Sequence, residues 1–291
     1  MIKSARVGAV IVAYHPHARQ LVELIDQLRD QVEKIIVVNN GPSESIDLIS
    51  GSSITLIQAD SNLGVGAAIN RGVERLLVER LDQALLMDQD SVIGPQLVAT
   101  LGAHLVRQRQ AGNRVAAIGP RVRDHDDQVT APFVRFGLPF NRHLQRAAGC
   151  VQCDFVITSG CLIDLAHWPT IGPMREAWFI DNIDLEWCFR ARRLGYTVLG
   201  CFEATLDHRI GERHRLLGLV PYRRHDPDRL YTMMRNRVFL YRSGAPFAFI
   251  VQDALRAIGK LGLFSLIPPR RTHLRRMLAG LRDGLRTRPV P

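Results

Sequence analysis

The stretch Val7–Ala13, VGAVIVA, decides the fold class of this 291-residue chain. It is a continuous apolar run rich in β-branched residues, a pattern typical of a strand buried on both faces of a parallel sheet. Apolar residues then recur at helical spacing between Leu21 and Leu28. Residues 34–38 (KIIVV) predict a second strand, so one β-α-β unit opens the chain.

The same alternation of strand and helix continues along the chain. It predicts strands at 54–59, 83–87, 151–158 and 197–199, and helices at 66–80 and 183–194. From residue 230 onward the pattern becomes helical and basic. The sequence therefore predicts an α/β fold with a Rossmann-like, mostly parallel central sheet flanked by helices, followed by a helical C-terminal extension.

Composition narrows the class of protein. With 46% hydrophobic residues, the chain can bury a large core. We expect a cytoplasmic protein, because no leader pattern precedes the first strand and no apolar run approaches bilayer length. Five cysteines, including the lone Cys-x-x-Cys of Cys150 and Cys153, are expected to be reduced, buried thiols.

The net charge of +10 is concentrated at one end. Residues 268–288 hold seven arginines and one aspartate, and residues 247–267 before them are apolar with a helical pattern. No aromatics alternate with the basic residues, so nucleic acid is not an expected partner. Two interpretations stay open: an interfacial helix beside an anionic membrane surface, and a solvated basic tail.

Polar residues follow the predicted strands, where α/β sheets bind ligands. Asp88 and Asp90, in LLMDQDS, come directly after the fourth strand. Two carboxylates at this spacing can bind Mg²⁺ or Mn²⁺ and bring the cation to a diphosphate. The alternative is a polar turn in which Asp90 or Ser91 caps a helix that begins near Pro95.

Residues 62–68 (NLGVGAA) form a second polar cluster with small side chains before a helix. Asn62 and Gly64 stand where backbone N–H groups can face a bound anion. As a dinucleotide-binding fingerprint the loop lacks its third small residue, since Ile69 occupies that position. Tight packing between helix and strand is the alternative interpretation.

Two acids begin the helical segment 179–196 (FIDNIDLEWCFRARRLGY). Asp181 and Asp184 are three residues apart, so they share one face of a helix. A carboxylate here can accept a proton from an attacking hydroxyl. Alternatively, Asp181 is an N-cap and Asp184 completes a capping box. His208 follows a short strand-like piece further along the chain.

The order of these clusters resembles the family-two inverting glycosyltransferases of the GT-A fold, specifically the bacterial rhamnosyltransferases. The resemblance covers residues 10–242 and rests on VIVAYHP, VVNNGP, NLGVGAAINRG, LLMDQDS, FVITSGCLI, FIDNIDLEWCFRARRLGY, LDHRIGE and YTMMRNRVFLYR. It implies a GT-A catalytic domain over 1–228, with a nucleotide-sugar half (1–93) and an acceptor half (94–228). Residues 229–291 would form a basic helical region with possible contact to a membrane surface.

On the donor side, the resemblance implies a nucleobase pocket lined by Ala13 and Tyr14. Asn40 would face the nucleoside, although Asn39 stands where relatives commonly carry an acid. The diphosphate and its Mg²⁺ or Mn²⁺ would be held by Asp88 and Asp90.

His208 is implied as a further metal ligand, and Arg235 would steady the leaving diphosphate. The acceptor would be bordered by Thr158, Ser159, Gly160 and Trp187. For the general base, Asp181 and Asp184 compete. We expect Asp181, because relatives often carry Glu-Asp at the positions of Asp181 and Asn182, and Asn182 cannot accept the proton.

The expected reaction is transfer of L-rhamnose from dTDP-L-rhamnose, with inversion, to a hydroxyl of a growing glycan. Two acceptors stay open, a glycan and a polyprenyl-diphosphate-linked sugar. Two other classes stay open: a Rossmann oxidoreductase, which leaves the Asp-x-Asp unused, and a non-catalytic nucleotide-sugar-binding protein. A nucleotidyltransferase would need a Gly-rich, Lys-containing first loop, and AYHPHAR is not one.

Overall fold

The computed structural model describes residues 5–42, 51–124, 128–145, 148–208, 213–216, 220–223 and 225–288. Its first half alternates strands and helices: β1 (Val7–Ala13), α1 (Ala18–Arg29), β2 (Lys34–Asn39), β3 (Ile54–Gln58), α2 (Val65–Val78), β4 (Gln83–Asp88), β5 (Ser91–Ile93), α3 (Leu97–Gln110) and β6 (Val115–Asp124). The predicted pattern of the first four strands is confirmed to within one residue at each end.

The second half is less regular. It contains β7 (Phe133–Arg135), β8 (Arg142–Leu144), β9 (Cys150–Gln152), β10 (Cys161–Asp164), α4 (Trp168–Ile171), α5 (Ile183–Arg193), β11 (Thr197–His208), β12 (Arg213–Leu216) and β13 (Val220–Arg223). Three helices end the described chain: α6 (Pro227–Arg242), α7 (Phe247–Phe264) and α8 (Arg270–Arg286).

One large sheet organises the fold. Among the described residues it has the order β3-β2-β1-β4-β10-β6-β11-β5, with β9 paired to β11. The pairs β1–β2, β1–β4, β2–β3 and β6–β11 are parallel, whereas β10 runs antiparallel between β4 and β6. The carboxyl ends of β1, β4 and β6 therefore meet at one edge, which confirms the expected mostly parallel α/β sheet.

Helices cover both faces of this sheet, which explains why its strands are apolar throughout. Along β1, Val10 packs into the core cluster shared with α2 and α5. Its neighbours Ala9 and Ile11 belong to the cluster shared with α1 and α3. Since successive side chains of a strand point to opposite faces, burial on both faces requires a continuous apolar run.

The strand predicted at 151–158 is wrong beyond Gln152. After β9 the chain leaves the sheet, and it returns as β10 between β4 and β6. The apolar residues of this segment serve other contacts: Cys153 and Val156 are buried in the core, and Ile157 lines a cavity. β11 is longer than the predicted 197–199 and continues to His208.

The C-terminal helices form a small core of their own, which includes Leu230, Met234 and Met277. α8 packs closely on α6 where it carries glycine. A Cβ atom added to Gly284 would lie 2.7 Å from the Val238 Cβ atom, so a larger residue would separate the two helices. No helix in the described part of the chain is long and apolar enough to cross a membrane.

Candidate active site

A cavity of about 800 Å³ opens at the carboxyl ends of the central strands. Its walls include Tyr14 after β1, Asp88 at the end of β4, Asp90 just beyond it, and the turn that leads into α5. The structure thus brings together polar residues that are far apart in sequence, at the sheet edge where open α/β sheets bind ligands.

The Asp-x-Asp turn is held from two sides. The Gln89 side chain accepts a hydrogen bond from the Tyr14 backbone N–H (2.6 Å) and donates one to the Tyr14 carbonyl (3.1 Å). On the other side, the buried Ser159 hydroxyl lies 2.6 Å from the Ser91 hydroxyl and accepts from the Asp88 N–H at 3.4 Å. Through its two hydrogen bonds to the Tyr14 backbone, Gln89 therefore holds the Asp-x-Asp turn against the end of β1.

The helix-capping alternative for this turn is wrong. Ser91 begins strand β5, and α3 starts only at Leu97, preceded by Gln96. Asp88 and Asp90 instead face the cavity as partly buried carboxylates. Two such oxygen donors fit a hard divalent cation such as Mg²⁺ or Mn²⁺.

His208 ends β11 beside this turn. Its backbone is paired in register with Ser91 on one side and Asp124 on the other. The His208 side chain, and the rest of its motif at 209–212, lie outside the described residues. The pairing of β11 with β5 therefore places His208 beside Ser91, the residue that follows Asp90.

Asp184 faces the cavity from the first turn of α5. Burial raises the pKa of its carboxyl from 3.8 to about 6, and the negative charges of Asp181 and Asp88 add to the shift. The Leu185 N–H donates to this carboxylate at 2.8 Å and opposes the rise. A carboxylate with a pKa near 6 accepts protons more readily than an ordinary aspartate and is still ionised at neutral pH.

Asp181 lies in a different environment. Its carboxylate pairs with Arg229 at 3.0 Å, and its backbone has a φ of 66°. The residue that precedes α5 is Asn182, and no side chain caps the helix. The capping-box alternative is therefore wrong. Both acids line the cavity.

The turn that carries Asp181 is strained and held by α6. Phe179, Asp181 and Asn182 all have φ near 65°, a region that costs energy for residues with side chains. The fully buried Asn236 side chain donates to the carbonyls of Trp178, Ile180 and Asp181. Without these hydrogen bonds the turn would relax, so Asn236 positions the acids.

Arg235 also supports this turn rather than facing the cavity. Its guanidinium donates to the carbonyls of Ala177 and Trp178 and lies over the Phe239 ring. The cavity-facing residues of α6 are Arg229, Met233 and Arg237, which the sequence interpretation did not include. Their spacing of four residues, within a helix that the pattern predicted, was the signal that could have identified them.

The loop that contains Asn62 and Gly64 joins the donor side of the cavity to the strained turn. Asn62 accepts from the Gly64 N–H, and the Asn40 side chain donates to the Gly64 carbonyl. Gly64 has a φ of 81°, and a Cβ atom there would lie 2.5 Å from the Phe179 carbonyl oxygen. This close approach requires glycine. Among the described residues, the buried Asn40 Oδ1 has no hydrogen-bond partner.

The predicted acceptor residues divide into two groups. Thr158 and Ser159 line the cavity, and Gly160 forms the following turn, where its N–H donates to the Leu86 carbonyl. Trp187 is 1% exposed, and its indole N–H donates to the Gly172 carbonyl, so its side chain lies in the core. Ala13 is likewise fully buried at the end of β1, beneath the exposed Tyr14.

The fold is similar to that of the GT-A glycosyltransferases. A crystal structure of GalNAc-T7 with UDP, GalNAc and Mn²⁺ is similar over 98% of this chain and 57% of that one, with a TM-score of 0.64 and 10% identity. A crystal structure of S. aureus TarS matches 98% of this chain and 49% of its own, with a TM-score of 0.50 and 13% identity. The chain thus spans about half of each of these solved chains.

Sequence comparison gives the family. The model of glycosyl transferase family 2 matches residues 9–163, more than half of the chain, so this protein belongs to that family. It is also 27% identical, over 246 residues, to the dTDP-rhamnosyl transferase RfbF of Shigella flexneri, covering 82% of this chain and 81% of that protein. These findings confirm the family resemblance.

Proposed function

We propose that this glycosyltransferase transfers L-rhamnose from dTDP-L-rhamnose, with inversion, to a hydroxyl of a cell-surface glycan or lipid-linked acceptor. The donor is supported by the similarity to a dTDP-rhamnosyl transferase. The reaction class is supported by one structural observation above all: the Asp-x-Asp turn and the partly buried Asp184 carboxylate face the same cavity. Residues 1–93 would bind the donor, and residues 94–228 would bind the acceptor.

Asp88 and Asp90 are the residues that would hold a divalent cation, with His208 as a further ligand. Such a cation, when bound, offsets the negative charge that grows on the departing diphosphate. Gln89 and Ser159 contribute by keeping the two carboxylates in place before substrate binds. This arrangement avoids the cost of ordering the turn during the reaction.

We assign the general base to Asp184 rather than to Asp181. The Asp184 carboxylate takes the proton from the acceptor hydroxyl as that oxygen attacks the anomeric carbon. The bond from this carbon to the diphosphate oxygen breaks on the opposite face, so the configuration inverts. Asp181 is a poorer candidate because its carboxylate is already engaged in an ion pair with Arg229.

The C-terminal region 229–291 would contact an anionic membrane surface, where a polyprenyl-diphosphate-linked acceptor is anchored. α7 exposes Phe247, Leu255 and Ile258, each more than 60% accessible to solvent. α8 exposes one row of residues at helical spacing: Arg271, Arg275, Leu278, Arg282 and Leu285. Arginines beside exposed leucines suit a lipid headgroup layer, where the cation meets phosphate and the apolar side chain enters the interface.

Co-sedimentation with vesicles tests this surface. The full chain should bind phosphatidylglycerol vesicles, bind phosphatidylcholine vesicles weakly, and dissociate as salt is raised. Leu255→Ser combined with Ile258→Ser should weaken binding, whereas Val78→Ser on the exposed face of α2 should not. Equal sedimentation of all three proteins would contradict the assignment.

A donor panel tests the reaction itself. Purified protein is incubated with dTDP-L-rhamnose and with UDP- and GDP-sugars, and nucleoside diphosphate release is measured with and without a lipid-linked glycan acceptor. We expect acceptor-dependent release of dTDP from dTDP-L-rhamnose alone. Release from another donor would overturn the sugar assignment, and no turnover with any donor would favour the non-catalytic binding protein.

A further inference from the structure

Three metal-binding side chains meet at a place that the transfer reaction does not use. His104 comes from α3, Cys150 from β9 and Cys201 from β11, and one potential ligand atom of each lies within 4.8 Å of the other two. Cys150 and Cys201 are direct register partners on antiparallel strands. The cysteine that approaches Cys150 is therefore Cys201, which is 51 positions further along the chain than Cys150, and not its sequence neighbour Cys153.

The cluster lies on the opposite face of the sheet from the cavity. Cys201 is part of the core cluster that α1 and α3 cover, and Cys150 packs against it. Cavity-lining residues such as Phe133 and Val156 belong to the core cluster on the other face. A ligand bound at the cluster would thus be separated from the donor site by the sheet itself.

Burial and access both suit a structural metal. His104 is 7% exposed and Cys201 is fully buried, whereas Cys150 is partly accessible to solvent. A cation could therefore enter past Cys150 and end in a protected position. Polar groups at such a depth are stable when they are paired or bind a metal.

The donor set indicates the metal. Two thiolates and an imidazole match zinc, whereas Mg²⁺ and Mn²⁺ prefer oxygen ligands. With Zn–S bonds of about 2.3 Å and Zn–N bonds of about 2.0 Å, ligand atoms around tetrahedral zinc lie roughly 3.5–3.8 Å apart. Closing a 4.8 Å span to that distance requires side-chain movements of only about 1 Å.

Glu203 adds a fourth group. Its carboxylate oxygen lies 2.8 Å from the His104 Nε2 atom. Histidines that bind metals are commonly oriented by a carboxylate on one ring nitrogen, and loss of that partner weakens metal binding about 10- to 100-fold. The half-exposed Glu203 is thus placed to orient His104.

We propose that His104, Cys150 and Cys201 bind one zinc ion, with Glu203 as the residue that positions His104. The bound zinc would link α3 to β9 and β11, and so would stabilise the packing of this helix on the sheet. The site is independent of the proposed sugar donor and of the Asp-x-Asp metal.

Cobalt and zinc binding test the proposal on the full reduced chain, without activity as the readout. Titration with CoCl₂ should produce thiolate-to-cobalt charge-transfer absorption and the visible bands of tetrahedral cobalt, and ZnCl₂ should abolish both. Excess zinc should raise the melting temperature by about 5 °C or more, since a ligand that binds only the folded state stabilises it.

Substitutions test whether these side chains, and not others in the protein, bind the metal. Cys150→Ser and Cys201→Ser should lose the cobalt spectrum, and Glu203→Gln should bind zinc about 10-fold more weakly. Cys188→Ser, a buried thiol elsewhere, and Asp90→Asn should keep the full spectrum.

Two results would overturn the proposal. One is a reduced wild-type chain that shows no cobalt–thiolate absorption with excess CoCl₂. The other is an identical spectrum in Cys150→Ser and Cys201→Ser, which would place the bound metal elsewhere.

Discussion

Replacing Asp184 by Asn should make the protein more stable and almost inactive. The carboxyl has a pKa of 3.8 in an unfolded chain and about 6 in the folded one, chiefly through burial. Between these values the folded state binds more protons, so stability falls as pH rises from about 4 to about 6. Above that range the whole penalty is present, on the order of 3 kcal/mol for a shift of about two units.

Asparagine removes this penalty and can still accept the hydrogen bond from the Leu185 N–H. Thermal and urea unfolding of the metal-free protein should therefore show Asp184→Asn to be more stable than wild type at pH 8, by up to about 3 kcal/mol. The difference should disappear near pH 4. Turnover should fall by roughly 10²- to 10⁴-fold, the usual scale for loss of a general base.

Asp181→Asn is the matched control for this substitution. Its carboxylate pairs with a half-exposed arginine, so its removal should change stability by less than about 1 kcal/mol. It should also retain more turnover than Asp184→Asn. In wild type, kcat/KM should rise with pH through about 6 as Asp184 ionises. An inactive Asp181→Asn beside an active, unstabilised Asp184→Asn would refute the assignment.

Three other substitutions test how the site is held. Gln89→Leu removes both bonds to the Tyr14 backbone, so turnover should fall roughly 10²-fold in a folded protein, measured by dTDP release. Asn236→Leu leaves three carbonyls without their donor and should cost about 3 kcal/mol in urea unfolding; an unchanged midpoint would contradict this. Gly64→Ala, against the Phe179 carbonyl, should lower the melting temperature, whereas Gly112→Ala, with open space around it, should do so less.

The first half of the fold could be predicted because its strands are buried on both faces. Val7–Ala13 must then be apolar at every position, and that signal needs no knowledge of its neighbours. The segment 151–158 (VQCDFVIT) is also rich in apolar residues, but it is not a strand past Gln152. Apolar composition reports burial, and only the tertiary arrangement decides between strand and loop.

The candidate site could also be predicted only in part from the sequence. Asp88 and Asp90 follow a predicted strand, so their position at the sheet edge could be inferred from topology. The role of Gln89 could not, because its partner Tyr14 lies 75 positions away. The base assignment also depended on the structure: Asp181 is paired with Arg229, whereas the pKa of Asp184 is raised to about 6, and neither property can be read from their spacing.

Metal-dependent sugar transfer by the wild type and by Asp90→Asn tests the central claim most directly. Release of dTDP from dTDP-L-rhamnose is measured in EDTA and again after adding Mn²⁺ or Mg²⁺, with circular dichroism as the check on folding. We predict that EDTA abolishes wild-type turnover, that the added cation restores it, and that Asp90→Asn stays inactive although folded. Normal turnover by folded Asp90→Asn, or by the wild type in EDTA, would contradict the account.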